Sequence, residues 1–258
     1  MLGKLLKYDF RSMWKQFSVI WPAALVLALI NRFTLYGAHG TSEVGEWTAV
    51  ISLSVFIGVC FAMAIVSVVF VLTRFYKGLL GDEGYLMHTL PVNTWQLVLS
   101  KLICALAVTV VNGIVGILAM FLMMPLKWSE IFDFELWKML FQGIWENPDS
   151  LLYLFEFFLM LLVVFSLMFT MLYLSMAIGH LFSRRRILMS VVAFFAIDIV
   201  GNLTISVIGN TGLDYWFSHI IAWSSHVSFW VGIGVLAIPA ILMFLGTSWI
   251  LKNKLNLE

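Results

Sequence analysis

The chain has 258 residues, of which 62% are hydrophobic and only 11% charged, with a mean hydropathy of +1.00. An ordinary globular domain is about 45–50% apolar and about 25% charged. No soluble fold of this length hides so much apolar surface, so lipid is the expected solvent for most of it; the net charge of +1 says less than where the charges fall.

Residues 1–15, MLGKLLKYDFRSMWK, have an amphipathic helical pattern: Leu2, Leu5, Leu6, Phe10, Met13 and Trp14 fall on one side and Lys4, Lys7, Arg11 and Lys15 on the other. Such a helix is expected in the membrane interface, basic side toward anionic headgroups. A crossing helix needs about 20 mainly apolar residues. Six segments qualify, at about 17–36, 47–73, 96–125, 151–181, 187–208 and 226–251. Gly37-Ala38-His39-Gly40 faintly resembles a signal-peptidase site, but the preceding apolar stretch is too long for a signal peptide and reads as a retained anchor.

Between the second and third spans, the segment 76–95 changes character. Gly81 breaks the helix, Asp82 suits an N-cap, and Glu83 sits in the positive first turn of a new short helix. Tyr85 to Leu90 make about two turns, which Pro91 ends through its effect on the residue before it. Asn93 with Gln96 then gives a capping-box-like start to span three. The loop 126–150 carries Trp137, Leu140, Phe141, Ile144 and Trp145 at helical spacing, the pattern of a helix resting on the membrane surface. In span five, Asp198 lies near mid-membrane with Asn202 one turn later, a candidate polar path for cargo or an ion; a structural pair, or a break at Gly201, is the competing reading. Asn112, Glu156, His180 and His226 stand singly or near span ends, where structural roles are expected. The stretch 209–225 is too short to span and reads as a partly inserted hairpin or interfacial helix.

Lysine and arginine concentrate on the cytoplasmic side of a membrane protein. With the N-terminus inside, Lys4, Lys7, Arg11, Lys15, Arg74, Lys77, Lys101, Arg184, Arg185, Arg186, Lys252 and Lys254 are all inner, which is 12 of the 15 basic residues. Most acidic residues fall in outer loops. The expected architecture is therefore an all-α integral membrane protein, a single transmembrane domain of six helices over 1–258 with both termini cytoplasmic. Segment 76–95 is then inside as well.

Several chemistries lack their residues. Cys60 and Cys104 lie in apolar runs, so no disulfide framework is expected. There is no HExxH, CxxC or GxSxG, and the Gly3-Lys4 pair is not followed by Ser or Thr, so no P-loop is present. No catalytic residue, metal site or nucleic-acid partner is expected. Any energy from ATP has to enter through another chain.

GDEGYLMHTLPVNTWQLVLSKL (81–102) resembles the segment between the second and third spans of permease subunits of type-2 ATP-binding-cassette (ABC) exporters. The opening MLGKLLKYDFRSMWK is similar to the interfacial helix of those permeases, and AIGHLFSRRR (177–186) to the inner end of their fourth span. The long outer loop 126–150 departs from the pattern. The resemblance implies that 82–90 is a coupling helix docking on a soluble ATPase subunit, through Asp82, Glu83, Gly84, Tyr85, Leu90 and Pro91. It further implies ATP and Mg bound by that partner, a second permease subunit (identical or different), and a multi-pass place in the plasma membrane of a bacterium. The cargo class it implies is a peptide, an antibiotic or another amphiphile. Two other readings stay open: a membrane scaffold or sensor that docks a cytoplasmic partner without transporting, and an ion-coupled secondary transporter using Asp198. Inverted repeats would favour the latter, and none is evident between spans 1–3 and 4–6.

Overall fold

The computed structural model describes residues 2–38, 43–81, 84, 92–123, 135, 138, 142, 148–182, 184–210 and 225–254. Six long helices account for nearly all of them: α1 Leu2–Ala38, α2 Glu43–Phe75, α3 Thr94–Met123, α4 Pro148–Gly179, α5 Arg186–Asn210 and α6 Ser225–Asn253. No strand occurs among the described residues. Apolar segments long enough to cross a bilayer are Phe17–Thr34, Val50–Leu80 (α2 and the π turn that follows it), Thr94–Met123, Asp149–Gly179, Arg186–Val207 and His226–Asn253. In lipid every backbone polar group has to be satisfied internally, which is why these apolar runs are helical throughout. Pro22 and Pro239 lie inside α1 and α6 without ending them.

Two boundaries differ from expectation. The amphipathic N-terminal helix and the first span are one continuous helix, with Asp9, Met13 and Phe17 buried along one side and Lys4, Lys7, Arg11 and Lys15 exposed on the other. Of the expected apolar side of residues 1–15, Met13 is buried, Leu5 and Leu6 are half-buried, and Phe10 and Trp14 stay exposed. The second span runs beyond residue 73, through Phe75 and then a π-helical turn, Tyr76–Leu80. Burial of Phe75, Leu79 and Leu80 outweighs the helix-weakening effect of Gly78 there. The expected helix over 137–145 lies outside the described residues, apart from the helical Lys138 and Gln142, and so does most of 209–225.

The chain divides into two compact units. One comprises Met1–Leu2, Leu72–Leu106 and Ile144–Glu258. In it α4 is the central element, packing against both α5 and α6. Gly179 closes the turn from α4 to α5, since a Cβ there would lie 2.0 Å from Ser190 Oγ and 2.6 Å from the Ser190 backbone nitrogen. Arg185, with φ of 63°, takes the left-handed conformation that starts α5.

The other unit comprises Gly3–Val71 and Ala107–Gly143. Ala28, Phe56 and Ala119 form its apolar centre, with Leu25, Cys60 and Leu122 packed around them. A polar chain runs beside it: Trp21 Nε1 donates to Asn112 Oδ1 at 2.7 Å, Asn112 Nδ2 donates to Ser67 Oγ at 2.7 Å, and Ser67 Oγ donates to the Met63 carbonyl at 2.7 Å. Ser52 likewise hydrogen-bonds Asn31, tying α2 to α1. The Trp21–Asn112–Ser67 chain pairs groups that would be costly to leave unpaired in hydrocarbon, whereas the buried Asn31 Nδ2 has no hydrogen-bond partner among the described residues.

Candidate functional site

The described residues that lead into the segment singled out by the sequence belong to a platform of buried aromatic and basic side chains. At the end of α2, Phe75 stacks on Tyr173 of α4 with ring centroids 4.0 Å apart and planes 6° from parallel, both rings fully buried. The Tyr173 hydroxyl donates to the Lys101 carbonyl of α3 at 3.4 Å. Lys101 is itself buried, and its ammonium end occupies the space where a side chain at residue 78 would begin, 3.2 Å from the Cβ that Gly78 lacks. The next residue after Phe75, Tyr76, meets the His180 ring at 5.4 Å. His180 is buried just past the end of α4, and its two ring nitrogens have no hydrogen-bond partner among the described residues. Burial, and then the positive charge of Arg186, push its pKa below the usual histidine value.

The π turn sets where the chain leaves α2. The Gly81 amide donates to the Tyr76 carbonyl at 2.8 Å, a five-residue closure that delays the exit of the chain by one residue relative to an α-turn. Gly81 is extended, and the Gly84 amide donates back to the Gly81 carbonyl at 2.8 Å. Gly84 is helical and buried, and presses on the π turn so closely that a Cβ would stand 2.6 Å from the Leu79 oxygen and 2.8 Å from its carbon. On the far side, the Gln96 amide donates to the Asn93 carbonyl at 2.9 Å and α3 starts at Thr94, so Asn93 takes the N-cap position expected of it. Of the predicted docking residues, Gly84 is placed; Asp82, Glu83, Tyr85, Leu90 and Pro91 lie outside the described residues. Arg184 and Arg185, in the α4–α5 turn, are exposed.

Asp198 and Asn202 do come together. Asn202 Nδ2 donates to the Asp198 carbonyl at 2.9 Å and to its Oδ2 at 3.2 Å, and both residues are exposed on α5. The helix runs unbroken through Gly201, so Asp198 does not cap a break. Only 6% of the spanning window of α5 is buried, and this polar pair therefore stands on an open helix face within the apolar stretch Arg186–Val207.

One constellation has no signal in the sequence. Glu156 of α4 is fully buried, and its Oε2 lies 2.8 Å from His226 Nδ1 of α6. Tyr153, one turn before Glu156, stacks on the His226 ring at 4.0 Å and 13°. Glu156 Oε1 has no hydrogen-bond partner among the described residues. The two acid–base groups are 70 positions apart, and each read alone looked merely structural.

No protein-family model, no curated protein and no solved structure matches the chain.

Proposed function

We propose that this chain is the permease subunit of an ABC exporter, moving a peptide, antibiotic or other amphiphile across the plasma membrane of a bacterium. Two permease subunits, identical or different, would work with two soluble ATPase subunits that hold ATP and Mg. The observation that carries this reading is the platform formed by Phe75, Lys101 and Tyr173, whose Phe75 lies shortly before the segment containing Asp82, Glu83 and Leu90 in the sequence. The bias of Lys and Arg supports placing that platform, and both termini, on the cytoplasmic side.

A docking element has to pass force without yielding at its base. Stacked buried rings, the Tyr173 hydrogen bond and the close fit of Gly84 on Leu79 supply that stiffness. Closure of the ATPase subunits on ATP would push on 82–91 and, through Gly81, on the ends of the spanning helices. Asp198 and Asn202 would line the path of the cargo. A carboxylate at this depth costs about 2.5–3.5 kcal/mol by insertion scales if it faces lipid, which supports turning it toward water or protein in the assembled transporter.

The test is to co-express the chain with a soluble P-loop ATPase encoded beside its gene, then measure co-purification and membrane-stimulated ATP hydrolysis. Leu90→Asp is expected to abolish docking and Glu83→Ala to uncouple hydrolysis from transport, with membrane insertion intact in both. Normal assembly and transport in both variants would refute the docking role.

A further inference from the structure

The exposed side of α1 carries features that the transport reading does not use. Lys7, Arg11 and Lys15 recur every four residues and line an open hollow of about 550 Å³ together with Phe10 and Trp14. The Phe10 and Trp14 rings pack at 5.7 Å. Trp14 is held on its other side by Trp21, edge-on at 5.0 Å, and Trp21 is fixed in turn by its hydrogen bond to Asn112. The aromatic wall of the hollow is therefore held in place. The one acidic residue of α1, Asp9, is buried on the opposite side and does not offset the positive charge.

The depth of these residues follows from the continuity of the helix. The apolar window opens at Phe17. At 1.5 Å per residue, Lys15 lies about 3 Å and Arg11 about 9 Å outside the hydrocarbon. The headgroup layer is about 5–7 Å thick on each side, within reach of both side chains. On the membrane side of Lys15 the same face continues as Val19, Val26 and Ile30, all exposed and apolar. A stripe that is cationic at headgroup depth and apolar below it matches one amphiphile end to end.

We infer that this face of α1 binds an anionic phospholipid, its phosphate between Arg11 and Lys15 beside Trp14 and an acyl chain along Val19, Val26 and Ile30. The site is independent of whether the chain transports anything. It requires only that α1 spans a membrane.

The experiment uses the full-length chain in mixed micelles carrying either phosphatidylglycerol or phosphatidylcholine, with bound lipid counted by native mass spectrometry. Phosphatidylglycerol is expected to be retained where phosphatidylcholine is stripped. Loss of two cationic contacts in Arg11→Gln/Lys15→Gln is expected to weaken retention about 30-fold. Lys252→Gln/Lys254→Gln, at the far end of α6, is expected to leave it unchanged. Retention by the unaltered chain should also fall at high salt, which keeps the proposal testable if the double variant does not fold. Glycerol 3-phosphate, which has the phosphate but no acyl chain, is expected not to displace the lipid; displacement would overturn the acyl-chain half of the site. Equal retention of the two lipids, or unchanged retention in Arg11→Gln/Lys15→Gln, overturns the site altogether. So does a Val19→Cys variant that cross-links to a second copy while lipid is lost, because the face would then be a protein interface.

Discussion

Gly84 shows how one missing side chain holds the candidate docking segment down. With the Leu79 carbonyl oxygen 2.6 Å from any Cβ, alanine cannot enter unless backbone moves. Gly84→Ala is expected to cost about 1–3 kcal/mol, the range for forcing atoms into a filled site, and to lower the thermal midpoint of the purified protein in detergent. The same change at Gly3, which has open space around it, is expected to do far less. Glu156 and His226 make the second residue-scale case. Removing one partner of a buried hydrogen bond leaves the other unsatisfied, which costs about 1–3 kcal/mol. His226→Ala is thus expected to destabilise the protein, and His226→Ala combined with Glu156→Leu by less than the sum of the two. Additive effects in that double-mutant cycle would show that the 2.8 Å contact contributes nothing. Gly84 was legible only as a member of the candidate docking segment, and its tight seat on Leu79 was not legible. The acid–base pair was not legible at all, since the 70 positions between its members carry no mark of which face of α4 meets α6.

At the scale of elements, the ends of α2, α3 and α4 form a joint whose parts the sequence named only in fragments. Span boundaries were legible to within a few residues wherever a glycine or an Asn–Gln cap marked them, as at Asn93. The π turn was not, because it depends on Phe75, Leu79 and Leu80 finding cover. The joint should be sensitive to pH through His180, which lies in the turn after α4, outside the span. Its pKa is lowered in the folded protein, first by burial and then by Arg186. An unfolded histidine titrates near about 6.5. On acidification through that value the unfolded chain takes up the proton before the folded one does, so stability is present above the window and is lost as pH falls into it. The thermal midpoint in detergent is expected to drop on moving from neutral to mildly acidic buffer. In His180→Gln that slope should flatten; an unchanged slope would locate the pH dependence elsewhere.

For the whole molecule, composition leaves little freedom. Six apolar runs of spanning length become six helices because unpaired backbone in lipid is too costly for any other arrangement. Their sidedness is expected from the distribution of Lys and Arg. On a background lacking Cys60 and Cys104, a membrane-impermeant maleimide added to intact cells should label Glu135→Cys and leave Lys252→Cys untouched. The reverse pattern would put the candidate docking segment outside, where no ATPase could reach it.

Membrane residence, the number of helices and most of their limits thus come from local composition alone, since about twenty successive apolar side chains settle the matter whatever surrounds them. Which sides of those helices meet protein and which meet lipid was decided only by tertiary packing. Both surroundings are apolar, so Phe75, which stacks on Tyr173, and Phe61, which lies exposed, look alike in the sequence. Folding the chain separated them: it joined Glu156 to His226, linked Trp21 to Asn112 and Ser67, and left Asp198 on an open face.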